Sequence, residues 1–188
     1  MLSNSKVIRG PLCLIFAACM TAAALFNSAA RAGGQTPGAA NQEKAKPSAE
    51  GKPARISAAE LAKLRWIEGA WRGTGDVEKP FYERYRFEND STLAVESFPD
   101  ETLSKVDDVT RFELKDGQFG NGGEGSRWAA SELTDNSITF VPIKGARNSF
   151  QWRKGSDGTW TATLEWPAVE GKPARRRVYK MERWPPAK

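Results

Sequence analysis

The sequence contains no histidine in its 188 residues, and its two cysteines, Cys13 and Cys19, both fall within the first 32. That opening stretch reads as a secretory signal. Lys6 and Arg9 give a short positive start, PLCLIFAACMTAAALF (Pro11 to Phe26) is apolar, and ARA (Ala30 to Ala32) fits a small-x-small cleavage site. Cleavage after Ala32 leaves a chain with neither cysteine nor histidine. The usual ligand sets for zinc, copper and non-haem iron are then missing, so no metal site is expected. Haem held by His or Cys is excluded, as are Ser-His-Asp and Cys-His nucleophile systems, and no cofactor or catalytic residue is assigned. A carboxylate-only site for a hard cation stays open, but DVTRFELKDG and SFPDETLSKVDD lack calcium-loop spacing.

Long hydrophobic runs are also scarce. The apolar part of the signal is too short and wrongly flanked for a spanning helix, and no later segment is apolar enough to span. The expected location is therefore outside the cytoplasm, periplasmic or secreted. A rival reading cuts a lipoprotein before Cys19, at FAAC, but the residues that follow, MTAAALF, are apolar where a polar linker belongs. Positive charge is scarcer than the formal +5 suggests. Lys6, Arg9 and Arg31 leave with the signal, so 28 basic residues become 25 against 23 acidic ones, a net +2. The basicity is mostly a targeting charge, and no nucleic-acid partner is expected.

Three segments follow: a signal over 1–32, a tether over 33–55 and one domain over 56–188. The tether, GGQTPGAANQEKAKPSAEGKPAR, has no large apolar residue and is expected to stay flexible, because it cannot offset its ordering entropy. The domain opens with SAAELAKLRWI, where Ser57 and Glu60 form an S-x-x-E capping box and Leu61 and Leu64 share a face. One short helix is predicted there.

After the helix the apolar period changes to two. PFYERYRFEND sets Phe81, Tyr85 and Phe87 on one face, STLAVESF sets Leu93 with Val95, and VTRFELKDGQFG sets Phe112 with Leu114 before a hairpin signal at Asp116-Gly117. SITFV, NSFQWRK, TWTATLEW and ARRRVYKMERW continue the alternation, with turn signals roughly every 10 to 12 residues. SRWAASELTD is ambiguous: its alanines allow a helix, but its neighbours favour a strand. The fold class is all-β, a single antiparallel up-and-down barrel of about eight to ten strands behind one short helix.

Several features carry a functional and a plain structural reading. GNGGEG (Gly120 to Gly125) matches G-x-G-x-x-G in letters only, because it follows a hairpin strand and opens no helix. A loop at the barrel rim is the better account. Arg175, Arg176 and Arg177 look like a basic patch, but strand alternation divides them between two faces. Weak contact with an anionic envelope surface is the most they suggest. Glu83 shares the parity of Phe81 and Tyr85 and should point inward, where a carboxylate needs a partner or a raised pKa. Arg177, with the parity of Tyr179 and Met181, is the candidate partner. The pair would either orient a polar group of a ligand or form an internal ion pair.

The stretch WIEGAWRGTG, followed by PFYERYRFEN, resembles the start of the calycin group: lipocalins, fatty-acid-binding proteins and nitrobindin-like barrels. It is similar also to bacterial lipocalin-like domains that share an LxWIxGxWxGxG opening and a later F-x-P…F-x-W-R…DGxW-x-A region, here Phe140 to Ala162. The haem histidine of nitrobindin-like proteins has no counterpart, so a haem role does not carry over. The resemblance implies that Trp71 closes one end of a lipocalin-like barrel beneath an arginine of the last strand, one of Arg175, Arg177 or Arg183. The functional alternative makes Trp71 a ligand contact.

The expected function is binding of a small, largely apolar ligand inside the barrel without catalysis. Trp71, Glu83, Tyr85, Phe112, Trp152 and Arg177 are the lining candidates. The alternative is a cell-envelope structural or interaction protein with a filled barrel. A third reading, a carboxylate-based enzyme, lacks an assignable second carboxylate beside Glu83. The seven tryptophans could line a cavity or pack a core, and the oligomeric state is left open.

Overall fold

Two-residue alternation buries one face of each segment, and a ring of strands buries that face without leaving an edge unpaired. The computed structural model describes residues 52–122 and 127–186. The signal, nearly all of the tether and residues 123–126 of the glycine-rich loop lie outside the described residues. The strands are β1 (Gly69–Gly75), β2 (Phe81–Asn89), β3 (Thr92–Phe98), β4 (Asp108–Lys115), β5 (Gln118–Gly122), β6 (Arg127–Leu133), β7 (Ser137–Lys144), β8 (Ser149–Lys154), β9 (Trp160–Trp166) and β10 (Arg175–Arg183). Each pairs antiparallel with its sequence neighbours, and β1 pairs with β10 to close a ten-stranded up-and-down barrel. No helix among the described residues is long and apolar enough to cross a membrane.

Local chemistry explains the joints. At the β4–β5 hairpin Asp116 and Gly117 both have positive φ (52° and 76°), the geometry of a tight primed turn for which Asp-Gly is suited. The ambiguous SRWAASELTD folds as β6, with register shifts at Arg127/Trp128 and at Ala130/Glu132. At Gly73 a side chain would collide with the Phe81 ring opposite, so glycine there lets that ring lie over the β1 backbone.

One end of the barrel is covered from outside the sheet. Ser57 caps α1 (Ala58–Leu61) in a reciprocal box with Glu60, and a 3-10 turn over Ala62–Ile67 follows. Leu61, Leu64 and Ile67 are fully buried and belong to the same core as the inward-facing strand residues. Arg65 joins this cover to β2 by lying over the Phe87 ring, and to the turn after β2 by an ion pair with Asp90 (3.1 Å). Glu68 adds a hydrogen bond accepted from the Phe87 N–H (3.1 Å).

The backbone just ahead of α1 is tied to the barrel. The Ala54 N–H donates to the Ala130 carbonyl (2.8 Å), and the Ile56 N–H donates to the Gly117 carbonyl (2.8 Å). Ala54, within the predicted tether, is therefore bound to the barrel. Backbone pairing of this kind needs no large side chain, so a composition argument does not see it.

Candidate functional site

The inward faces carry an aromatic interior. Tyr85 of β2 sets its ring edge-on to Trp152 of β8 (5.6 Å) and Trp160 of β9 (5.3 Å). Phe112 of β4 meets Phe140 of β7 (5.2 Å) and Trp152 (5.1 Å). In the ring order β2 and β8 stand four strands apart, as do β4 and β8, so these contacts cross the barrel.

Trp71 sits beneath the helical cover. Its indole N–H donates to the Ile67 carbonyl (2.7 Å), and the Arg183 guanidinium lies 3.9 Å above its ring. Arg183 also donates to the Glu68 and Trp66 carbonyls, and partial burial lowers its pKa. Of the three arginines considered as the cover, Arg183 occupies the position. The stack contributes on the order of 1 kcal/mol. Gly69 beside it has φ +121°, a backbone conformation that favours glycine, and a Cβ there would also displace the Arg183 guanidinium.

Glu83 is buried among these rings, on the inward face of β2 between Phe81 and Tyr85. Residues two apart on a strand share a face, and the Tyr85 hydroxyl donates to Glu83 Oε2 (2.7 Å). Burial pushes the Glu83 carboxyl up to about 7, against the opposing effect of the Tyr85 hydrogen bond.

Arg177 does not join this pair. The register sets Glu83 opposite Trp71 and Trp71 opposite Arg183, so Glu83 is level with Arg183. Arg177 lies six residues further along β10, about 20 Å at strand rise, and is exposed. Its inward parity is real, but it sits where the strand reaches the far rim. The rest of the arginine run is occupied locally. Arg175 lies over the Trp166 ring, and Arg176 pairs with Glu165 (3.4 Å).

Glu96 is buried too, but on the outer face, where Arg84 and Arg86 bind it (2.6 and 3.2 Å). It supplies no second inward carboxylate beside Glu83. The barrel thus brings Trp71, Glu83, Tyr85, Phe112 and Trp152 into one interior and leaves Arg177 outside it.

Trp160 and Trp66 fall under the general reading of the seven tryptophans but not among the named lining candidates. Trp160 touches Tyr85, Trp71 (5.9 Å), Trp152 (6.0 Å) and Trp66 (6.2 Å), which makes it the hub of the rings nearest the covered end. The signal was available: Trp160 starts the inward parity of TWTATLEW, shared with Ala162 and Leu164. Among the described residues, the buried indole nitrogens of Trp66, Trp152 and Trp160 have no hydrogen-bond partner. Compared with known proteins, the chain matches no family model and no curated protein by sequence.

Proposed function

We propose that this chain is an exported barrel of the calycin type that binds a small, largely apolar molecule among its interior rings, without catalysis. The observation that carries this reading is the Glu83–Tyr85 pair, a carboxyl buried among aromatic rings with no cation beside it among the described residues. A purely packing interior gains nothing from such a group, because burying a carboxyl costs stability unless something uses it. A ligand with one polar group and an apolar body uses it. The Trp71–Arg183 closure supports the calycin assignment by its geometry.

Native mass spectrometry of protein recovered from its own compartment tests the binding. The expected spectrum shows a retained small molecule that is lost in Glu83→Leu. No retained mass, together with unchanged tryptophan fluorescence on adding apolar probes, removes the binding role. The amino terminus of the recovered protein is expected at Gly33.

The rings that meet across the barrel favour a second reading, an envelope interaction protein whose interior is filled by its own side chains. In that case Glu83→Leu is more stable than the wild type and no probe enters.

A further inference from the structure

Trp71 donates its indole N–H to Ile67, Trp128 donates to the Asn148 carbonyl (2.8 Å) and Trp184 to the Glu101 carbonyl (2.8 Å). These three, from widely separated parts of the fold, each have an acceptor. Among the described residues, the three buried indole N–H groups that lack one belong to a single contiguous set, with Trp160 in ring contact with both Trp66 and Trp152. An indole nitrogen can only donate, and a buried donor without an acceptor costs on the order of 1–3 kcal/mol. A ring face receiving an N–H offsets only part of that. A cluster of unused donors next to one polar pair therefore points to an acceptor brought from outside the chain.

We infer that the interior site takes an uncharged, largely apolar molecule bearing a carbonyl-type acceptor, which the indole N–H groups of Trp152 and Trp160 hold. This rests on the binding role proposed above and specifies its ligand class. Trp152 and Trp160 are almost completely buried, and both lie edge-on to Tyr85, whose hydroxyl is engaged by Glu83. Both rings therefore touch the residue that holds the carboxyl. A ligand anion fits poorly: the Arg183 guanidinium is directed at backbone carbonyls of the covered end, and Arg177 is at the far rim. A ligand cation would place its charge against the electropositive N–H edges. A neutral carbonyl satisfies the donors without importing charge, and the protonated Glu83 can donate to it as well.

Three probes of nearly equal shape separate these cases on the intact domain. Cyclohexanone carries the acceptor, methylenecyclohexane replaces its oxygen by CH2, and cyclohexylammonium carries a cation. Binding is read in mildly acidic buffer from the indole 1H–15N resonances, assigned with Trp152→Phe and Trp160→Phe. Cyclohexanone is expected to bind on the order of tenfold more tightly than methylenecyclohexane. It should also move the Trp152 and Trp160 indole protons downfield while the Trp128 indole stays in place. The ketone–alkene comparison uses the wild type, so it stands even if a Phe variant folds poorly. Equal affinity for ketone and alkene overturns the donor assignment and leaves the container reading intact. Preference for cyclohexylammonium, there or in mildly alkaline buffer where Glu83 ionises, also overturns it, and a preference that grows with pH assigns recognition to the Glu83 carboxylate. Failure of all three to bind up to their solubility overturns both.

Discussion

A carboxyl whose folded-state pKa lies above its ordinary value favours folding only while it keeps its proton. For Glu83 that value rises from 4.5 to about 7, with burial as the main cause. Its contribution is fully present below pH 4.5 and is lost as the pH climbs to about 7, a swing of about 3 kcal/mol. The hydrogen-bonded surface acids have the opposite sign. Glu60, Asp100 and Asp157 are held below their ordinary values by hydrogen bonds from Ser57, Thr102 and Thr159, so their stabilisation is lost only in stronger acid. Glu83→Gln keeps the neutral shape and removes the titration. In urea unfolding, its stability relative to wild type is expected to rise by about 3 kcal/mol between pH 4.5 and 7.5. Parallel curves for the two proteins would show that burial does not govern this carboxyl. Parity alone made the inward position of Glu83 legible. That Arg177 lies too far away to pair with it was not legible, because parity places a side chain on a face and says nothing of its level along the barrel. Arg177 and Arg183 share a parity, and only the β1–β10 register distinguishes them.

At the scale of elements, the strands were legible wherever alternation ran over five or more residues, and the Asp116-Gly117 turn announced its own geometry. β6 was harder to read, because its alanines suit a helix and its register shifts interrupt strict alternation. The close approach of the β6 backbone explains the glycine opposite it on β5. Gly120 pairs with Ala129, and a Cβ on Gly120 would meet the Trp128 carbonyl oxygen and the Ala129 backbone. Backbone cannot step aside as a long side chain can. Gly120→Ala is therefore expected to cost about 3 kcal/mol, at the upper end for forced overpacking. Gly158 makes the control. It has φ +75° in a turn with open space around it, so Gly158→Ala meets only the left-handed backbone penalty of about 1 kcal/mol. Thermal unfolding of the two variants checks the ranking, and equal losses would remove the close-approach argument.

For the whole molecule, the remaining question is whether a ring of ten strands encloses space or only its own side chains. Composition and periodicity reach the barrel but not its contents, since an inward Phe or Trp looks the same in a sequence whether it lines or fills. Phe112 offers a direct measurement. It contacts Phe119, Phe140, Phe150 and Trp152, so it holds β4, β5, β7 and β8 to one another through the interior. Phe112→Ala removes those ring contacts and is expected to cost about 3–5 kcal/mol in urea unfolding. The same variant also tests for space. An apolar cavity of sufficient size takes up benzene, and binding to the folded state raises the melting temperature with benzene concentration. If the interior is a ligand site, benzene raises the melting temperature of the wild type, and that of Phe112→Ala by more. A rise in the variant alone means the native rings fill the barrel, and the outer surface then becomes the place to look for the protein's work.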